Sequence, residues 1–249
     1  MIDLHCHILP HVDDGASDLN EAVAMIRAQV RQGVTEICLT PHIHAETFCA
    51  SDEQIAAEYR RLLRRLEKAR IRVKLRLSRQ YFYDTDFRRL LREGRVVPLG
   101  DYRVLLLEFG VEVPAEILPE ASKRVQEAGF TPMFAHVERC RAVQKDMELV
   151  KQLVDMGTII QVNAGALLGE EGKPVKDVAW SLLRRGYVHV VASDAHGSRE
   201  RTPNLRRCFK LLEKEIGRQN AQILLCRNPE AILRNTEESS DAESGTHRP

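Results

Sequence analysis

Ile2-Asp3-Leu4-His5-Cys6-His7, Val104-Leu105-Leu106-Leu107-Glu108, Pro132-Met133-Phe134-Ala135-His136 and Val190-Val191-Ala192-Ser193-Asp194-Ala195-His196 share one pattern, an apolar β-like run that ends in His, Glu or Asp. Strand ends that keep finishing in metal-ligand residues point to one mouth of an α/β barrel, where functional groups gather at the C-terminal ends of the strands. The pattern therefore predicts a fold and a site together.

Working outward, short β-branched runs alternate with longer segments of helical period, which argues for successive βα units around a parallel sheet. Strands are predicted at residues 2–6, 34–40, 71–78, 103–108, 130–136, 158–163 and 188–193. Helices are predicted from Ser17 to Gly33, Ser51 to Arg70, Pro114 to Gly129, Val143 to Gly157 and Pro174 to Gly186, several closing on glycine. Seven strands with intervening helices fit a single barrel domain over 1–235. The stretch from Thr236 onward, 236–249, is polar and acidic, too poor in apolar residues to offset its ordering entropy, and is predicted to be disordered.

An apolar fraction of 43% is ordinary for a globular protein, and no run of 18 apolar residues spans a bilayer. With Met1 leading straight into the first strand, the sequence predicts a cytoplasmic protein without membrane insertion. Lys+Arg 37 against Asp+Glu 36 leaves a formal charge of +1, which provides no field for nucleic acid. The basic run Tyr59–Lys68 carries apolar residues at helical spacing and reads as a solvated helix face. Six cysteines at 6, 38, 49, 140, 208 and 226 contain no C-x-x-C pair, and none begins a C-x5-R phosphatase loop. Oligomeric state does not follow from the sequence.

His5 and His7 sit two apart in an extended segment, so both imidazoles share one side of the strand and can share one ion. Asp13-Asp14-Gly15 follows in the next loop. Thr40-Pro41-His42 closes the second strand at the same barrel end. Glu108 follows a buried run and needs a partner, either a salt bridge or a cation. His136 ends strand five, and Asp194 with His196 repeats the two-residue step at strand seven. His11, His44 and His189 lie in loops or inside a strand and are expected not to be ligands. Arg139 and Arg201 follow two of these strand ends and lean over the same mouth, with surface salt bridges as the alternative. Imidazoles and carboxylates without thiolates suit manganese, iron or zinc, and a polynuclear cluster of this kind activates water and clamps phosphoryl oxygens. Phosphoester hydrolysis is the expected chemistry, with an arginine holding the remaining oxygens.

His5-Cys6-His7, Asp13-Asp14-Gly15, Thr40-Pro41-His42, Glu108, His136-Val137-Glu138-Arg139 and Ser193-Asp194-Ala195-His196 together resemble the PHP (polymerase and histidinol phosphatase) superfamily. Within it, the opening Met1–Gly15 and the His-x-Glu-Arg stretch look most like the manganese-dependent protein-tyrosine phosphatases of bacterial capsule and exopolysaccharide operons. The resemblance implies a distorted (β/α)7 TIM-like PHP barrel with up to three Mn2+ ions. It also implies a phosphotyrosine substrate on the tail of a bacterial tyrosine kinase that controls polysaccharide assembly. By position it implies that His5, His7 and Asp194 hold one metal, Glu108 and His136 a second, and Asp14, His42 and His196 a third, with Arg139 and Arg201 binding phosphate. One position departs from the pattern: Gln80 stands where the family has a metal-bridging glutamate. A carboxamide is neutral and offers one oxygen, so weaker metal binding and reduced activity are expected. A small-molecule phosphatase of the histidinol-phosphate type and a phosphotyrosine-binding pseudo-enzyme are the alternatives.

Overall fold

The computed structural model describes residues 1–100 and 103–234; the tail expected to be disordered lies outside the described residues. Among the described residues the strands are β1 (Ile2–Cys6), β2 (Glu36–Leu39), β3 (His42–Ile43), β4 (Lys74–Leu77), β5 (Gln80–Phe82), β6 (Val104–Glu108), β7 (Thr131–Phe134), β8 (Ile159–Asn163) and β9 (Val190–Ala192). Every pairing between them is parallel.

Seven strands were expected and nine short ones form, because β3 and β5 continue the second and third beyond their expected ends at 40 and 78, each after a break. Pro41 has no N–H to give to a ladder, and Ser78-Arg79 interrupts the next strand at the same level. The backbone still bridges both breaks: Ser78 N–H donates to the Leu39 carbonyl at 2.9 Å and Gln80 N–H to the Pro41 carbonyl at 3.0 Å. Counting β2 with β3 and β4 with β5 leaves seven rungs in the order 1-2-4 and 3-5-6-7-8-9. The Cys6–Ala195 bridge then joins the last strand back to the first, with His7 N–H on the Ala195 carbonyl at 2.8 Å. The sheet is thus curled into the distorted seven-rung barrel.

Alternation along the strands divides the apolar residues between an inner and an outer cluster. Leu4, Cys38, Val104, Leu106, Met133 and Val190 fill the interior, which Ile232 and Leu233 of the last helix close from below. Cys6, Ile37, Leu39, Leu105, Leu107 and Phe134 face outward beneath the helices. In the first helix, α1 (Leu19–Arg31), Asp18 caps the N-terminus by accepting from Asn20 and Glu21 N–H, and Ala22, Val23, Met25 and Ile26 form its buried stripe. The predicted helix over 143–157 is two pieces, Arg141–Lys145 and Glu148–Asp155, and the chain after Gly186 adds a further helix at Leu205–Ile216.

One local irregularity decides where the site forms. Asp3 pairs with Ile37 but Cys6 pairs with Leu39, so β1 carries one more residue than β2 across this step. This β-bulge resets the alternation. Leu4 points inward below it, Cys6 points outward above it, and His5 and His7 come to the interior face.

Candidate metal centre

The predicted ligands converge at the C-terminal mouth of the barrel. His5 Nε2 lies 3.2 Å from His7 Nε2 and 3.3 Å from Asp194 Oδ1, and His7 Nε2 lies 3.6 Å from the same oxygen. On the other side of His7, whose ring stacks on His196 at 3.9 Å and on His42 at 4.2 Å, Asp14 Oδ1 sits 3.6 Å from His42 Nε2 and 3.5 Å from His196 Nε2. Two sets of donor atoms are compact enough for an ion: His5, His7 and Asp194, and His7, Asp14, His42 and His196. Glu108 and His136 belong to neither set. Glu108 lies 3.1 Å from His42 Nδ1 and 3.7 Å from His136 Nε2.

The proton inventory of these rings fits a cation. His7 Nδ1–H donates to the Asp13 carboxylate at 2.7 Å, and His196 Nδ1–H donates to the Asp194 carbonyl at 2.9 Å. His5 Nδ1–H donates to Gln161 Oε1 at 3.0 Å, an oxygen whose identity is fixed because the His136 backbone N–H also donates to it at 3.2 Å. Each ring therefore turns the lone pair of Nε2 to the centre, the tautomer a metal requires. His196 Nε2 is buried and has no hydrogen-bond partner. Burial pushes His7 well below the usual imidazole range, with His42 and His5 adding to the effect, and burial lowers His136 to about 3 and His196 to about 2. The neutral ring of His7 thus faces the Asp194 carboxylate oxygen with no proton between them. A divalent cation removes that repulsion.

Asp194 divides its two oxygens between two tasks. Oδ1 faces the imidazoles, while Oδ2 accepts from Arg201 Nη2 at 2.9 Å and Asn163 Nδ2 at 2.8 Å and lies 3.2 Å from Arg139 Nη1. Burial works against its charge, but the Arg139 guanidinium helps to hold its carboxyl well below the usual range. At Glu108 burial likewise works against ionisation and the His42 hydrogen bond outweighs it, lowering the carboxyl to about 2. His42, in turn, is raised despite its burial. Arg139 and Arg201 line a cavity of about 380 Å³ beside the cluster, together with Glu170, Glu171, Arg199 and Asn204.

Gln80 sits in the centre of this arrangement, its Oε1 2.8 Å from His5 Nε2 and its Nε2 3.2 Å from His136 Nε2. Whichever way the amide is turned, it offers an oxygen to one half of the centre and an N–H donor to the other. A carboxylate would offer an oxygen to both.

Backbone geometry helps to aim two of these side chains. Phe134 belongs to the outer cluster, so strict alternation would send His136 outward as well. A left-handed φ of 34° at His136 breaks the alternation, and Asp194 has a φ of 49°. Such conformations are costly for residues other than glycine and gather at functional sites.

Reasoning from the sequence missed four supporting residues. Asp13, taken only as a neighbour of Asp14, is the buried carboxylate that orients His7 and also accepts from His42 and Gly15 N–H. Gly15 is needed there, because a Cβ would fall 2.2 Å from the His7 carbonyl oxygen. Gln161 and Asn163 hold His5 and Asp194, and Glu171 accepts from Arg139 Nε at 2.6 Å. The two polar residues at period two in Ile159-Ile160-Gln161-Val162-Asn163 were a legible signal of an inward polar face. His44 and His189 stand outside the cluster: His44 pairs with Thr47, and His189 Nδ1 accepts from Ile160 N–H.

A family model described as capsular polysaccharide synthesis, CpsB/CapC, matches residues 1–234. The chain is 32% identical over 235 residues to tyrosine-protein phosphatase YwqE of Bacillus subtilis, covering 94% of this chain and 92% of that protein. It is 30% identical over 240 residues to tyrosine-protein phosphatase CpsB of Streptococcus agalactiae, covering 94% and 99%. Among solved structures it resembles the metal-dependent tyrosine phosphatases YwqE of B. subtilis and CpsB of Streptococcus pneumoniae, with a TM-score of 0.87, 33% identity and coverage of 94% and 95%. Histidinol phosphate phosphatase of Lactococcus lactis shares the fold at a TM-score of 0.56 and 13% identity, covering 90% of this chain and 94% of that one.

Proposed function

The chain belongs to the CpsB/CapC family of capsular polysaccharide synthesis proteins, and from that premise we propose that it is a manganese-dependent protein-tyrosine phosphatase whose substrate is the phosphotyrosine tail of a bacterial tyrosine kinase. The observation that carries the reading is the convergence of acceptors on one point: His5 Nε2, His7 Nε2 and Asp194 Oδ1.

His5, His7, Asp194 and Gln80 would hold one ion, and Asp14, His42 and His196 another, with Glu108 and His136 as the weakest pair. When bound, such ions lower the pKa of water and neutralise charge developing on phosphoryl oxygens. The protein's own contribution is orientation. Asp13, Gln161 and the Asp194 carbonyl fix the three ring tautomers. Arg139 and Arg201 meet over Asp194 Oδ2, which preorganises two guanidinium forks at the edge of the cavity for a tetrahedral dianion. Among the described residues no helix is long and apolar enough to cross a membrane, in keeping with a protein that meets its substrate from the aqueous side.

Protein stripped with chelator and supplied with a phosphotyrosyl peptide should release phosphate only after manganese is restored. No release with manganese, zinc or iron would overturn the phosphatase reading, and peptide binding without release would favour a binding protein disabled at Gln80.

A further inference from the structure

Aromatic side chains stand at the outer edge of the ligand residues. His42, Gln80 and Glu108 face the metal centre from three neighbouring rungs; Phe82 follows Gln80 by two residues on the same face of β5, about 6.6 Å outward, and His44 and Gly110 lie just past the ends of β3 and β6. Register places His42 opposite Gln80 and Phe82 opposite Glu108, so Phe82 stands beside Glu108 at the outer edge of the ligand residues. The Phe82 ring lies 4.4 Å from His44, and Phe48, reaching over from the loop after β3, stacks on His42 at 5.0 Å with 15° between the planes. Both phenylalanines are only half-buried. Gly110 leaves the tip of Phe82 uncovered, since a Cβ there would lie 3.8 Å from Phe82 Cζ. The next residue, Val111, is 49% exposed, one of two large apolar side chains left open among the described residues.

Apolar rings at the lip of a charged site have no role in ligating a metal or clamping a phosphate. We infer that Phe48 and Phe82 form an aryl-binding rim that stacks the phenyl ring of a tyrosyl phosphate while its phosphoryl group sits in the layer below. Only the ester oxygen separates phosphorus from the ring in an aryl phosphate, so a ring over a clamped phosphoryl group falls one layer outward, at the height of this rim. Offset or edge-on aromatic contact is available to a phenol and unavailable to seryl, threonyl or small alkyl phosphates. The rim would thus set the substrate class, and this assignment rests on the phosphatase reading above.

The test compares aryl with alkyl substrates. For the manganese-loaded protein, the ratio of kcat/KM for phenyl phosphate over glycerol 2-phosphate should fall about five- to tenfold in Phe82→Ala and again in Phe48→Leu, chiefly through KM, and should be kept by Phe82→Tyr. A merely structural role would lower both substrates together and leave the ratio where it was, which would overturn the rim. Calorimetric binding of phenylphosphonate and methylphosphonate separates this failure from failure of the phosphatase reading. Equal affinity of the unaltered protein for the two would overturn the rim whatever the turnover. A phenyl preference that Phe82→Ala abolishes would uphold it even in a protein that hydrolyses neither ester.

Discussion

The floor and the mouth of the barrel both bury a carboxylate, and they settle its charge in opposite ways. At the floor, Glu36 is 3% exposed and is met by Arg76 Nε at 2.6 Å, Lys74 Nζ at 3.1 Å and Arg234 Nη2 at 3.3 Å. Burial works against its charge, but the bonds from Arg76 and Lys74 prevail and lower its pKa. At the mouth, Asp194 receives arginines on one oxygen only, and its other oxygen faces imidazole lone pairs. The floor is complete as protein. The mouth is complete only with a cation, so a buried carboxylate is structural at one end and serves the candidate site at the other.

The sharpest way to break this contrast is His7→Ala. His7 belongs to both compact donor sets, so its loss should remove most bound metal, measured by plasma mass spectrometry, and take phosphate release to background while the fold persists by circular dichroism. Retained metal would mean that the convergence of acceptors is incidental. Asp13→Asn should keep the shape of the loop yet make His7 a poorer ligand, weakening manganese affinity by about 10- to 100-fold in a competition titration; unchanged affinity would remove Asp13 from the account.

Gln80→Glu tests the division within the mouth. A carboxylate would supply oxygens to both His5 and His136, and the expected outcome is one more bound ion per chain together with faster turnover. An unchanged metal count would show that the amide is no handicap.

The smallest effect belongs to the floor. Because the folded pKa of Glu36 lies below its ordinary 4.5, its stabilisation is fully present above that value and is lost as pH falls through the folded pKa. Thermal melts should therefore show the native chain above Glu36→Gln at pH 7, with the gap closing on acidification below about pH 4.5, and with metal content the same in both. A change in metal content would tie floor and mouth together and undo the comparison.

Much of the site was legible because its residues terminate apolar runs: His5, His7, Glu108, Asp194 and His196 announce themselves by spacing alone. Residues that act through others were harder to see. Asp13 read only as a neighbour of Asp14, and burial gives it its role, enclosed beneath His7 while Asp14 stands half-exposed at the mouth. Phe48 and Phe82 carry no pattern that distinguishes a rim from a core.

The sequence by itself determined the βα alternation, the strand ends that carry the candidate ligands and the glutamine at position 80, because periodicity and chemical type are local properties of a chain. Only the tertiary structure decided which face those ends present and which proton each ring holds. The bulge in β1 turns His5 and His7 inward, the left-handed backbone at His136 does the same there, and Gln161, 156 residues from His5 in the chain, fixes the tautomer of that ring. Orientation and protonation are set by neighbours in space, and those exist only once the barrel has closed.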